Sequence, residues 1–167
     1  MLHKVSIAGL TIDPASNTPI LILKSSDDDK SIPIWIGVLE ATSIASVIQN
    51  VKFDRPMTHD LFKNLIEVLN ITVEKIEVCD IRDNTFYAKI YFISEDKNFI
   101  MDARPSDAIA IALRCKAPIY VDDNVIKKTN SISTSEPGEP VDKSEEAEKW
   151  TKYLENLDAE NFGKYKI

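Results

Sequence analysis

Cysteine, glycine and long apolar runs are all scarce in this 167-residue chain, and each shortage removes a class of function. Its two cysteines, Cys79 and Cys115, stand in separate apolar runs without Cys-x-x-Cys spacing. Buried free thiols are expected in place of a zinc site or a disulfide framework, which suits a reducing cytosol. Four glycines leave no room for a Gly-rich phosphate loop, and there is no Gly-x-Ser-x-Gly elbow. His-Glu-x-x-His and an acidic calcium loop of proper length are missing too. No apolar run is long enough for a bilayer, and the start, Met1-Leu2-His3-Lys4-Val5, lacks the charged-then-apolar pattern of a secretion signal. A cytoplasmic protein with no membrane partner is expected. Basic excess is missing as well. The net charge of -7 offers no bulk attraction to phosphate, which a nucleic-acid coating protein would have. Acidity remains compatible with an enzyme that holds a divalent cation against a phosphodiester, since such a site needs carboxylates.

Hydrophobic residues make up 44% and charged residues 28%, ordinary proportions that support one domain with a real core plus an appendage. Residues 1–128 carry 15 basic and 18 acidic side chains, net -3, whereas the much shorter 129–167 carries 5 and 9, net -4. Patterning predicts strands at Val5–Ile12, Ile20–Leu23 (apolar on both sides, hence buried on both faces) and Ile32–Ile36, whose Pro33 marks an edge. A helix follows over Val38–Val51, and a second from Thr58 to a stop at Asn70. Three more strands, Ile71–Ile81, Thr85–Ile93 and Asn98–Ala103, are joined by turns at 82–84 and 94–97. A helix apolar all round spans Ala108–Leu113, then come a short last strand, Ile119–Val121, and a helical turn at 122–126.

Three strands and a helix thus occur twice, in residues 5–50 and 71–115. A shift of 67 positions lays Lys30 on Lys97, Glu40 on Asp107 and Ala41 on Ala108. The expected architecture is α+β: two pseudo-repeated three-strand-plus-helix units forming a mixed, largely antiparallel sheet with helices packed on it. Residues 129–143, rich in Ser, Thr, Pro and acid, read as a flexible linker. Residues 144–167 read as an amphipathic C-terminal helix and tail. The stripe Trp150, Tyr153, Leu154 and Leu157, with Phe162 beyond it, suits packing on the domain or on a neighbouring subunit. A homo-oligomer, dimer or trimer, formed through apolar surface and this helix is expected.

Two segments rhyme: Arg55-Pro56-Met57-Thr58-His59-Asp60 and Arg104-Pro105-Ser106-Asp107. Each sets an arginine and a proline before a hydroxyl and an acid at a helix start. Thr58 and Ser106 suit N-caps, and the acids suit the first turn, where the helix dipole favours them. Arg55, Arg104, Thr58 and Ser106 are therefore candidates for binding phosphate. Glu40, Asp102 and Asp107 are candidates to hold Mg²⁺ or Mn²⁺ through oxygen. His59, Asp60 and Asp107 are candidates for acid–base work, since histidine titrates near neutrality. The structural alternative is as simple. Hydroxyl-then-acid is ordinary helix-start grammar, Asp102 and Arg104 can lock a turn, Glu40 can pair with Arg55 or Arg104, and His59 can cap locally.

Taken together, Ile32-Pro33-Ile34-Trp35-Ile36-Gly37 with Glu40-Ala41, then Arg55-Pro56-Met57-Thr58-His59-Asp60-Leu61, then Asp102-Ala103-Arg104-Pro105-Ser106-Asp107-Ala108-Ile109-Ala110, strongly resemble the bifunctional nuclease domain family. The resemblance covers residues 1–128. It implies an α+β domain acting as a nuclease on DNA and RNA, with nucleic acid as its partner, and metal-dependent phosphodiester hydrolysis is the mechanism we attach to that activity. The competing expectation is a non-catalytic oligomeric module that binds a phosphorylated ligand or a protein.

Overall fold

A two-residue turn sets the register of the longest hairpin among the described residues. Asp83 and Asn84 take φ of 47° and 58°, the left-handed pair that a two-residue hairpin loop needs. They join strands over Thr72–Arg82 and Thr85–Ile93, with Arg82 opposite Thr85 and Ile76 opposite Ile90. This computed structural model describes residues 1–26, 30–95 and 97–132. The predicted linker from 133 onward and the predicted C-terminal helix lie outside the described residues, as do 27–29 and 96.

In chain order the elements are β1 (Leu2–Ile12), β2 (Pro19–Ser25), β3 (Ser31–Trp35), α1 (Val38–Ile48), α2 (Thr58–Val68), β4 (Thr72–Arg82), β5 (Thr85–Ile93), β6 (Asn98–Ala103), α3 (Pro105–Cys115), β7 (Ile119–Asp122) and α4 (Asp123–Ile132). The strands form one mixed sheet in the order β3-β2-β1-β7-β4-β5-β6. The two predicted repeats are its two halves, each an antiparallel meander. α1 and α3, which close the repeats, have 11 residues each and begin 67 positions apart, so Glu40 and Asp107 occupy the same third helical position. β7, predicted as a short last strand, sits at the centre of the sheet. It runs antiparallel to β1 (Val5 opposite Ile119) and parallel to β4 (Ile76 opposite Ile119), so it zips the halves together.

Asparagines end the first two helices. Asn50 and Asn70 take φ of 54° and 53°. The N–H groups of Val51 and Ile71 then reach back to the carbonyls of Ser46 and Ile66, at 2.8 Å each. Both are Schellman closures, in which a left-handed residue turns the chain off the helix. The first helix therefore stops at Ile48, before the Val51 that periodicity suggested. The predicted turn at 122–126 continues as α4 through 132, so the expected domain boundary after 128 falls inside a helix. Thr129 is buried there, with its Oγ1 donating to the Val125 carbonyl at 2.8 Å. β2 is not buried on both faces: Leu21 and Leu23 are fully buried, whereas Ile20 and Ile22 are only partly so. Pro33 does lie on an edge strand, where its missing N–H costs no ladder bond.

The core fills the sheet face that carries Leu21, Leu23, Ile32, Ile34, Ile76, Val78, Ala88, Ile90, Phe92 and Val121. α3 lies against it, with Ala108, Ile109, Ala110, Ile111 and Ala112 all buried. The alanines let its backbone approach β4 and β5 closely, and α1 and α2 pack beside it. Phe92 is 1% exposed and stacks on Phe99 (centroids 4.9 Å apart) and, tilted, on Phe62 of α2 (6.3 Å). Phe92→Ala should therefore lower the unfolding free energy by about 3–5 kcal/mol. Ile100→Ala, on the far face of β6 where Ile100 is 55% exposed, should change it by about 0.5 kcal/mol or less. Urea titration of the two variants checks the difference.

Candidate active site

Three helix beginnings supply the polar cluster. α1, α2 and α3 each carry an acid at the third position, Glu40, Asp60 and Asp107, where the first-turn N–H groups and the helix dipole favour negative charge. Because α1 and α2 both pack on α3, these acids gather on one side of the molecule. The two Arg-Pro segments meet there: His59 Nε2 lies 3.0 Å from Asp107 Oδ1, 48 positions along the chain.

His59 bridges the helices on both sides. Its Nδ1 lies 2.8 Å from Ser43 Oγ on α1, and its Nε2 faces Asp107 on α3. Asp107 is also gripped by Arg104, with Nε to Oδ2 at 2.7 Å and Nη2 to Oδ1 at 3.2 Å. Burial raises the Asp107 carboxyl, but the hydrogen bonds from Arg104 and His59 outweigh it and hold it below the ordinary carboxylate value. Asp107 is thus held as an anion, and in the tautomer that points the Nε2 proton at it, Nδ1 is the nitrogen placed to accept from the Ser43 hydroxyl.

Arg104 also reaches Glu40, with Nη1 to Oε1 at 2.9 Å. One guanidinium therefore joins the two acids that the internal repeat makes equivalent. Its side chain stays 66% exposed, and both terminal nitrogens keep an N–H outside these contacts. Gly37, which precedes α1, makes room for this arrangement: a Cβ there would lie 2.1 Å from Glu40 Oε2.

A second arginine, Arg114 in the last turn of α3, is only 4% exposed. Its Nε donates to Asp60 Oδ1 at 2.6 Å, and its Nη1 donates to the carbonyls of Ser43 (3.2 Å) and Ala110 (3.0 Å). Asp60 uses its other oxygen to accept the Met57 N–H at 2.9 Å. Burial raises Asp60 too, and these bonds more than reverse that shift.

Of the predicted site residues, Glu40, His59, Asp60, Arg104 and Asp107 converge. Four do not behave as expected. Asp102 lies on the far face of β6, opposite Lys89, because the strand pleat turns Phe99 and Ala103 to the core and Asp102 away from it. Arg55 is exposed in the loop before α2, beside a cleft of about 400 Å³ that Asp60 and Arg114 also line, and it is not Glu40's partner. Thr58 and Ser106 lie just inside their helices and make no capping bond; the N-cap positions are Met57 and Arg104. Two residues were missed, Ser43 and Arg114. Ser43 follows Glu40 by one helical turn, which is the weak signal that placed it on the same face. Arg114 had none, since its acid partner lies 54 positions away.

The donor set does not fit Mg²⁺ or Mn²⁺ as built. Among the described residues no three His, Cys, Asp or Glu side chains gather as ligands. The two carboxylates that do meet, Glu40 and Asp107, already share the Arg104 cation between them.

Fold and cluster define the class: a duplicated α+β domain with an acid–histidine–arginine cluster where three helices begin. Sequence comparison agrees. The bifunctional nuclease domain family matches residues 21–134, and the chain belongs to that family. An uncharacterized protein of Mycobacterium tuberculosis is 35% identical over 96% of this chain and 98% of its own length. Bifunctional nuclease 1 of Oryza sativa subsp. japonica is 25% identical over 75% of this chain and 38% of its own. For bifunctional nuclease 1 of Arabidopsis thaliana the figures are 28%, 71% and 40%. No helix among the described residues is long and apolar enough to cross a membrane.

Removing the buried cation should be costly. Arg114→Ala strands Asp60 and two carbonyls, and calorimetry or denaturant titration should show a loss of about 3–5 kcal/mol. Acid should weaken the same cluster. Asp60 and Asp107 titrate lower when folded than when unfolded, near about 3.9. Their contribution is therefore full above the unfolded value and is lost as pH falls through the folded one. Urea midpoints measured from pH 7 to pH 2 should drop steeply at the acid end, and Asp107→Asn should flatten that limb.

Proposed function

We propose that this chain is a nuclease that hydrolyses phosphodiester bonds of DNA and RNA at the junction of α1, α2 and α3. The observation that carries the reading is the position of His59, held between Ser43 and the Asp107 anion, with the exposed Arg104 beside it. A phosphodiester is an anion, and Arg104 offers it free N–H groups. The pentavalent transition state gathers further negative charge, which a fixed guanidinium stabilises without rearrangement. His59 moves a proton, and Asp107 fixes its tautomer and offsets the charge of the imidazolium. Family membership and the plant relatives' names support the same reaction class. Divalent-metal assistance, the sequence expectation, would need Glu40 and Asp107 released from Arg104.

The proposal extends to a homo-oligomer, dimer or trimer. Leu61, Leu65, Val68 and Leu69 form an exposed stripe along α2, each more than half exposed, and a contiguous apolar surface of that kind suits a subunit contact.

Purified full-length protein should cut single-stranded DNA and RNA, and should keep cutting in excess chelator. His59→Ala and Asp107→Asn should each lower the rate by about 10²–10⁴-fold, measured as product release from a labelled oligonucleotide. Loss of all activity in chelator would overturn the metal-free arrangement, and wild-type rates in both variants would remove the site. Sedimentation should show an oligomer that the double change Leu65→Glu, Val68→Glu reduces to a monomer.

A further inference from the structure

The hydrogen bonds around His59 leave it no free nitrogen. Nε2 is committed to Asp107 at 3.0 Å, and that anion has no proton to give. Nδ1 is committed to Ser43 Oγ at 2.8 Å. A water molecule would have to break one of these bonds before His59 could deprotonate it. In the tautomer that points the Nε2 proton at Asp107, the proton placed for transfer to Nδ1 is the one on the Ser43 hydroxyl.

Deepening the nuclease reading, on which it rests, we infer that Ser43 is the nucleophile and that hydrolysis passes through a covalent phosphoseryl intermediate. A serine hydroxyl is a weak nucleophile at neutral pH and needs an adjacent base held by a third group. Asp107, His59 and Ser43 come from three different helices and supply that chain of bonds. Ser43 is half-buried and stands one turn after Glu40, on the α1 face that Arg104 approaches. A phosphate held by the outer N–H groups of Arg104 is thereby presented to that face.

The reaction balances with water as the only co-reactant. Ser43 Oγ bonds to phosphorus as its proton passes to His59 Nδ1. The ester bond to the departing nucleoside breaks, and its oxygen takes the proton from Nδ1. Water then attacks phosphorus, giving a proton to Nδ1. The bond to Ser43 Oγ breaks, and the serine oxygen recovers that proton. The products are a phosphomonoester and a free hydroxyl end. No 2′-hydroxyl takes part, so the same residues serve DNA and RNA.

A fluorophosphonate probes the serine without any nuclease assay, because the activated oxygen displaces fluoride and stays tagged. Full-length protein should gain one tag, mapped to Ser43 by peptide mass spectrometry, and His59→Ala should abolish it. An acid-quenched reaction with end-labelled oligonucleotide should leave label on Ser43. Ser43→Ala should cut slower by on the order of 10³-fold while melting as a folded protein. If wild-type protein cuts nucleic acid yet Ser43 takes neither tag nor label, or if Ser43→Ala cuts at the wild-type rate, the serine inference is wrong and the nuclease reading stands. If Ser43 is tagged in a His59-dependent way and no nucleic acid is cut, the activated serine stands and the nuclease reading falls.

Discussion

A guanidinium removed from water needs hydrogen-bond partners, and in this fold that need ties three helices into one unit. Arg114 is almost wholly buried, and the partners it needs come from α1 (the Ser43 carbonyl), α2 (Asp60) and its own helix (the Ala110 carbonyl). An unpaired buried charge is far more costly than a lost apolar contact, so the helices have little freedom to slide. Since the Ser43 carbonyl is one of those partners, the same bond fixes where the Ser43 hydroxyl can sit. The contacts of 2.8 and 3.0 Å around His59 join the same three helices.

The internal repeat explains why acids meet at all. Two antiparallel meanders, each followed by an 11-residue helix, are joined edge to edge through β7. The joint brings α1 against α3 and places Glu40 near Asp107, two anions at equivalent positions. Left alone they would repel. Arg104, the residue before α3, lies between them and turns the repulsion into a bridge. The equivalent position before α1 is Gly37, whose missing side chain leaves room for Glu40. The two halves share a backbone plan and differ at the position that makes the site.

Sequence showed the meanders clearly because each signal was local. The Asp83-Asn84 turn, the alternation along Thr85–Ile93 and the stop at Asn70 all act within a few residues. β7 was recognisable as a strand but not as the centre of the sheet, because a run of four residues does not reveal partners more than 40 positions away on one side and more than 110 on the other. At the site, Asp102 was misplaced for a related reason. It lies two positions before Arg104, yet the chain passes from strand to helix between them. The pleat sends Asp102 to the opposite face of the sheet, while Arg104 sits at the helix start beside Asp107. Nearness in sequence predicts a shared face only within one element.

Burial separates the two arginines of the cluster into two kinds of work. Arg114, 4% exposed, spends Nε and Nη1 on Asp60 and two backbone carbonyls, and that pairing serves the fold. Arg104, 66% exposed, is paired to two acids yet open to solvent, where an exposed ion pair contributes little to stability. Stability alone gives weak reason to gather Glu40, Asp107 and His59 around that second cation. Binding and transition-state stabilisation give a strong one, because a cation already held in place loses little freedom when an anion arrives. The cluster thus grades from a buried cation at Arg114 to an exposed one at Arg104, and His59 with Ser43 lies between the two.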